Sequence, residues 1–323
     1  MKAINRVLFI GSKQIGLQIL REIYSLSPET LIGILTIDDS DDNRSVLMNF
    51  KHFANQNGIG LHIAKNRKES EEVIRRSGPD LCFVVGWYWF IGSDILDLVP
   101  SGFIGIHNSL LPEYRGGSPL VWSIINGEKQ VGFSFFSFTR GMDEGNIWAQ
   151  GSVKIDGQDY ISDILKKLEG KTVHVLQENY LKILNGTAIP VEQDHGLATY
   201  CVSRSPDDGN INWSKCARDV YNFIRAQSDP YPGAFTYFGS RKLKIWRARL
   251  FDKPYYGAPG RIARISNNGV YIICGDYSAI IVEEVGVGEK RGNATELMKS
   301  IKGKICSSIV DSMATEKYSK DGN

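Results

Sequence analysis

A chain of 323 residues is long enough for two or three domains with buried cores, and 42% hydrophobic against 23% charged residues is the make-up of an ordinary globular protein. A formal net charge of +2 makes no electrostatic case for a nucleic-acid partner. Cys82, Cys201, Cys216, Cys274 and Cys306 form no Cys-x-x-Cys pair, which excludes a disulfide framework or a zinc ribbon as the simplest reading. With neither a secretory leader nor a bilayer-long apolar run, a cytoplasmic protein without membrane association is expected.

Strands and helices alternate through the first half. Apolar runs at 7–11, 31–37, 61–64 and 81–85 read as strands, and helical spacing covers 14–26, 46–56, 69–76 and 94–99, the last ended by Pro100. This alternation predicts an α/β fold: a mostly parallel, Rossmann-like sheet with helices on both faces and a ligand crevice at the carboxyl ends of its strands. Gly11-Ser12-Lys13-Gln14, Gly86-Trp87 and His107 all fall at such ends. Phe103, Ile104 and Ile106 read as a strand delivering His107, followed by a proline- and glycine-rich loop. A further strand at 131–138 ends just before Asp143. An imidazole and a carboxylate at neighbouring strand ends are the ingredients of a proton-handling site, or else a surface histidine and a turn-forming aspartate.

A long helix is expected over 160–184, ended by Asn185-Gly186, then a polar, turn-rich linker over 190–209 and a helix near 214–226 capped by Ser214. From Pro230 on, short runs at 235–238, 243–250, 260–265, 270–274 and 279–285 predict a small β-barrel. The last residues, 315–323, read as a frayed tail.

Other motifs are weaker. Gly11-Ser12-Lys13-Gln14-Ile15-Gly16 matches neither Gly-x-Gly-x-x-Gly nor a Walker A loop. Its helix N-terminus suits a phosphate or substrate hydroxyls, or the glycines merely allow close strand–helix packing. Asp38-Asp39-Ser40-Asp41-Asp42 lacks the glycine and glutamate of an EF-hand and reads as a solvated acidic loop. His52, His62, His174 and His195 have no partners at metal spacing. Gly86-Trp87-Tyr88-Trp89-Phe90 is an aromatic cluster that either roofs the core or lines a slot for a flat heterocycle.

The strings His107-Asn108-Ser109-Leu110-Leu111-Pro112, Tyr114-Arg115-Gly116 and Gly141-Met142-Asp143-Glu144-Gly145 resemble the signature of the N10-formyltetrahydrofolate-dependent formyltransferases. That family includes methionyl-tRNA, glycinamide ribonucleotide and nucleotide-sugar enzymes. The resemblance implies a catalytic domain at 1–189, a linker and helix at 190–230 and an OB-like C-terminal domain at 231–314. It implies N10-formyltetrahydrofolate as donor, held by Gly86, Trp87, Phe90, Gly141, Met142 and Asp143. Ser12, Lys13, Gln14, Arg115 and Gly116 would face the acceptor, although Lys13 and Arg115 read equally as a snorkelling surface charge and a loop-fixing hydrogen bond. His107 and Asp143 would carry the chemistry. The amine would attack as the free base, His107 would stabilise the tetrahedral oxyanion and could take part in proton movement, Asp143 would orient His107 or the attacking network and could accept the amine proton, and no metal would be required.

The family pattern has Asn two residues before the histidine, where this chain has Gly105. Residues i and i+2 of a strand share a side, so Gly105 is expected to leave a vacancy beside His107. Asn108 could substitute, water or a backbone N–H could fill the gap, or catalysis is impaired.

Four carboxylates at 38–42 argue against a tRNA acceptor. Arg204-Ser205-Pro206-Asp207-Asp208-Gly209, Trp213 and the run from Asp229 to Tyr237 resemble the nucleotide-sugar branch, closest to the formyltransferase domain that modifies 4-amino-arabinose for lipid A. The acceptor expected is a nucleotide-linked, 4-amino-dideoxy sugar for surface polysaccharide, with no stable nucleic-acid partner and a homodimer as the open assembly state. Rival readings are methionyl-tRNA formylation, formyltetrahydrofolate hydrolysis, and a catalytically impaired folate-binding protein.

Overall fold

The computed structural model describes residues 3–313, so the expected tail at 315–323 lies outside the described residues. Strands β1 (Val7–Gly11), β2 (Leu31–Ile37), β3 (Leu61–Ala64) and β4 (Leu81–Val85) alternate with helices α1 (Lys13–Leu26), α2 (Leu47–Asn57) and α3 (Arg67–Ser77). Next come α4 (Ser93–Leu96), β5 (Phe103–His107), β6 (Arg115–Gly116), α5 (Pro119–Ile125), β7 (Gln130–Ser137) and β8 (Ile147–Lys154). The long α6 (Ile161–Leu184) and the short β9 (Tyr200–Cys201) follow.

Two compact units form. One takes in the chain up to Pro119, Gln130–Lys154 and Lys166–Cys201; the other takes in Leu120–Lys129, Ile155–Leu165 and the chain from Val202 onward. The first is built on a seven-stranded sheet of order β3-β2-β1-β4-β5-β7-β8, parallel through β5, with β7 antiparallel to both neighbours. Every residue of β1 and β4 is buried, as continuous apolar runs in a sheet covered on both faces must be. Leu8, Ile10, Cys82 and Val84 share one cluster with Ile74 and Ile95. Phe83, pointing the other way, packs against Phe135 at 5.9 Å and Tyr180 of α6 at 6.1 Å. Each such side chain contributes about 1.5–3 kcal/mol on burial. The register pairs Gly11 with Val85 and Val84 with Gly105, so β1, β4 and β5 finish side by side.

In the second unit, α7 (Ala217–Gln227) precedes β10 (Ala234–Phe238), β11 (Arg241–Phe251), β12 (Ile262–Ser266), β13 (Gly269–Ile273), β14 (Ala279–Val287), β15 (Lys290–Asn293) and α8 (Ala294–Leu297). The sheet is antiparallel, of order β10-β11-β14-β13-β12, with β15 on β14. Its core joins Trp213, Tyr221, Ile245, Ile272, Ile280 and Val282. Tyr160 pins the start of α6 here: its hydroxyl donates to Ala248 O and accepts from Ala248 N, and burial pushes its pKa up to about 12.

The expected closed barrel does not form among the described residues. The end strands β10 and β12 share no pairing. Instead Cys306 bridges Tyr237 of β10, and Lys304 bridges Arg261 just ahead of β12. Segment 190–201 is not a free linker either, because Tyr200 and Cys201 pair with Arg115 and Gly116 and bind it to the first unit. Nor is Ser214 the cap of α7. Its N–H is held by the Asn212 side chain in a turn, and Cys216 Sγ accepts from Asp219 N instead.

Candidate active site

The adjacent ends of β1, β4 and β5 bring Ser12, Gly86 and His107 to one edge, as the sequence led us to expect. Ser12, 2% exposed, donates its hydroxyl to Gly86 O at 2.5 Å, and its N–H goes to Val85 O. Gly86 sits at φ +65°, and a Cβ there would lie 2.8 Å from Ser12 O. Only glycine keeps the two loops this close.

His107 is 8% exposed and its Nε2 lies 2.7 Å from Tyr114 O. A carbonyl only accepts, so this contact assigns the ring proton to Nε2 and leaves Nδ1 as the lone pair of the neutral ring. Asp143 Oδ2 stands 3.6 Å from Nδ1, too far for a hydrogen bond and close enough to share one incoming N–H. The same oxygen accepts the Gly116 N–H at 2.8 Å, and Asp143 itself sits at φ +52°.

The route of Asp143 to this place differs from the expected neighbouring strand ends. Because β7 is antiparallel, His107 pairs with Ser134, and the end of β7 at Ser137 lies opposite Ile104. The loop between β7 and β8 folds back to deliver the carboxylate.

Gly105 leaves no vacancy. A Cβ there would lie 2.1 Å from Cε1 and 2.6 Å from Cζ of Phe138, whose ring occupies that side. Phe138 stacks on Phe103 at 6.4 Å and packs on Phe136 at 5.3 Å, and Phe136 meets the His107 ring edge-on at 6.2 Å. An aromatic row backs the imidazole where an amide was expected, and Asn108 is exposed.

The aromatic cluster divides between core and surface. Trp87 and Trp89 pack on the core beneath, whereas Tyr88 and Phe90 are exposed, with Lys13 over the first ring and Arg67 over the second. Met142 is likewise exposed and Gly141 half-buried. Gln14 is exposed in the first turn of α1.

Lys13 is neither a snorkelling charge nor free for substrate. Its Nζ donates to Asp39 at 2.6 Å and to Asp42 at 2.8 Å. Burial opposes its charge, yet these two hydrogen bonds prevail and raise its pKa. Asp42 also receives a two-pronged contact from Arg44, which is the largest influence holding its carboxyl well below the usual range. The acidic stretch is therefore a fastened loop, with two of its four carboxylates ion-paired.

Arg115 also turns away from any acceptor. It is 2% exposed; its Nε and Nη2 donate to Gln193 Oε1 at 3.1 and 2.7 Å, and Nη2 contacts His195 Nδ1 at 3.1 Å. Gln193, 4% exposed, donates Nε2 to Asp143 O at 2.8 Å and Gly145 O at 2.7 Å. Sequence reasoning missed Gln193, since it lies in the stretch read as linker and its partner Arg115 is far away along the chain.

Comparison with known proteins decides the family. Residues 43–180 match the formyl transferase model and residues 204–302 the formyl transferase C-terminal domain model. A methionyl-tRNA formyltransferase of Acetivibrio thermocellus is 31% identical over 301 residues, covering 90% of this chain and 94% of that protein. The chain belongs to the formyl transferase family. The bifunctional polymyxin resistance protein ArnA of Wigglesworthia glossinidia brevipalpis is 30% identical to this formyl transferase over 93% of the chain and 46% of ArnA. The fold is shared with WlaRD, a sugar 3N-formyl transferase solved in the presence of dTDP and 5-N-formyl-THF, at TM-score 0.66 and 19% identity, over 90% of this chain and all of that one.

Proposed function

We propose that this formyl transferase moves the formyl group of N10-formyltetrahydrofolate to the primary amine of a nucleotide-linked, 4-amino-dideoxy sugar. The observation that carries the acceptor is the loop after β2. Lys13 and Arg44 neutralise two of its four carboxylates, and the ion pairs lock it beside the start of α1 with negative charge to spare. That lip disfavours a phosphate-rich tRNA arm far more than a single nucleotide sugar.

The residues present fit the donor. Gly86 is exposed at the end of β4, and Tyr88, Phe90 and Met142 offer exposed apolar surface. Open backbone groups beside apolar faces are what a flat heterocycle needs. When bound, N10-formyltetrahydrofolate supplies an activated formyl carbon. As the amine bonds to the formyl carbon, His107 would take its proton at Nδ1, the lone pair left free by the Nε2 contact with Tyr114 O, and return it to the tetrahydrofolate nitrogen that leaves when the donor's C–N bond breaks. Asp143, fixed by the Gly116 N–H, sets Oδ2 beside His107 Nδ1, where it orients the amine. Ser12, Gln14 and Gly116 border the acceptor's place.

A second reading, a methionyl-tRNA acceptor, is favoured by one feature. Strand β11 carries Arg241, Lys242, Lys244, Arg247 and Arg249 and no acid, with Lys242 over the Phe235 ring and Lys244 over Trp246. A run of cations suits a phosphate backbone. The two readings separate in one experiment. The purified chain and formyl donor are offered UDP- and dTDP-linked 4-amino sugars and methionyl initiator tRNA, with products weighed by mass spectrometry. Formylated sugar without formylated tRNA is expected; the reverse overturns the acceptor.

A further inference from the structure

We propose that Gln193 is a positioning residue that sets Asp143 against His107. The inference rests on the reading of those two side chains as the reacting pair.

Asp143 stands at φ +52° in a loop whose own sequence, between Gly141 and Gly145, offers little to hold it. A non-glycine residue in the left-handed region persists only when its surroundings enforce it. Gln193 supplies that enforcement from a distant segment. Its two amide N–H bonds go to the carbonyls of Asp143 and Gly145, spanning Glu144 like a staple. Its carbonyl is in turn gripped by two N–H groups of the buried Arg115, which fixes which end of the amide faces the loop. The β6–β9 pairing anchors both partners: Arg115 sits in β6, and the chain from Gln193 runs on into β9. Donor capacity and acceptor capacity of the amide are both used, and each is buried.

Gln193→Glu keeps the size and retains an acceptor for Arg115, even as a charged pair. It replaces the two donors with an oxygen facing the Asp143 and Gly145 carbonyls. A side chain that only secured Arg115 would tolerate this change; one that positions Asp143 would not. Gln193→Ala removes both contacts.

Two readouts test it. The first is turnover with N10-formyltetrahydrofolate and the panel acceptor the wild-type chain formylates, resolved into kcat and KM. Gln193→Glu is expected to lower kcat by at least ~10-fold with KM changed less than ~3-fold, and to add nothing further in an Asp143→Asn background. The second needs no acceptor: amide hydrogen exchange at Gly116, whose N–H donates to Asp143 Oδ2. Its protection is expected to fall in Gln193→Glu while the thermal midpoint stays within a few degrees. Wild-type kcat and Gly116 protection in Gln193→Glu overturn the proposal, as does a loss confined to thermal stability in both variants. If Asp143→Asn itself turns over at the wild-type rate, the error lies in the site reading beneath, and both fall together.

Discussion

Replacing Gly105 with alanine adds one methyl group where Phe138 already stands. The backbone at Gly105 has negative φ, so space alone is at issue. Carbon atoms pack at about 3.5–4.0 Å, so a Cβ 2.1 Å from Phe138 Cε1 requires the ring to retreat by roughly 1.5 Å. Phe103 stacks on that ring and Phe136 crowds it, so the displacement passes along the row to His107. Overpacking of this kind costs ~1–3 kcal/mol. The thermal midpoint should fall by about 2–12 °C, at 2–4 °C per kcal/mol for units of this size. Moving the imidazole by about an ångström should cost on the order of 10²-fold in turnover. The decisive variant is Gly105→Ala/Phe138→Val, in which the smaller side chain gives the methyl room. Thermal unfolding of wild type, both single variants and the double variant forms a cycle, with an expected favourable coupling of at least ~1 kcal/mol. Additive effects, or a Gly105→Ala protein as stable and active as wild type, would refute the account of the aromatic row. Gly105→Asn should behave worse than Gly105→Ala, because no empty space awaits the amide.

Three further outcomes are expected. His107→Ala and Asp143→Ala should each lower formyl transfer by at least ~10²-fold, and near-normal rates in either would remove the proton-transfer chemistry. The Cys201 thiol is pushed up to about 11, first by burial and then by the charge of Asp143. Asp143→Asn should therefore lower the pH at which iodoacetamide alkylates Cys201; an unmoved profile contradicts that charge coupling. The Asp42 carboxyl is held low chiefly by Arg44, so its contribution to stability is present above the unfolded value near ~3.9 and fades as pH falls through the lowered one. Arg44→Ala should be less stable than wild type at pH 6 by under ~1 kcal/mol in urea titrations, and the difference should close in acid; a gap that widens in acid has the wrong sign.

Where burial on both faces dictated residue type, the fold could be read directly. β1 and β4 are uninterrupted apolar runs with glycine at or just after their ends, and Phe103, Ile104 and Ile106 of β5 lead to His107; together they located the edge where Ser12, Gly86 and His107 meet. β8 escaped because Gln150, Gly151 and Ser152 give it neither apolar alternation nor strong β-propensity. Segment 190–201 looked like a linker because much of its anchorage is backbone hydrogen bonding, from Val191 to Ile147 of β8 and from Thr199 and Cys201 to the chain around β6, which composition does not encode. Gln193 and Arg115 were opaque for a related reason: a buried polar pair and a surface pair have the same residue types, and only tertiary placement separates them. At Gly105 the missing side chain was visible, but the ring that claims its room comes from β7's far end. Closure of the second sheet could not be read either, since strand runs give number and length but not which edges meet.

The segment 303–306 carries a consequence for the second unit as a whole. All of its named strands are complete by Asn293, yet this late stretch of chain reaches both outer edges, through Lys304 just ahead of β12 and through Cys306 on β10, where Asn210 also bridges Phe235. A polypeptide stopped before Gly303 would keep every ladder but lose the cover beside β12 and the Cys306 bridge on β10, leaving unspent backbone N–H and C=O groups on those rims, an invitation to stack on its own copies. A short peptide of otherwise unremarkable sequence thus acts as a seam, and its loss would first be seen as turbidity rather than as a missing fold.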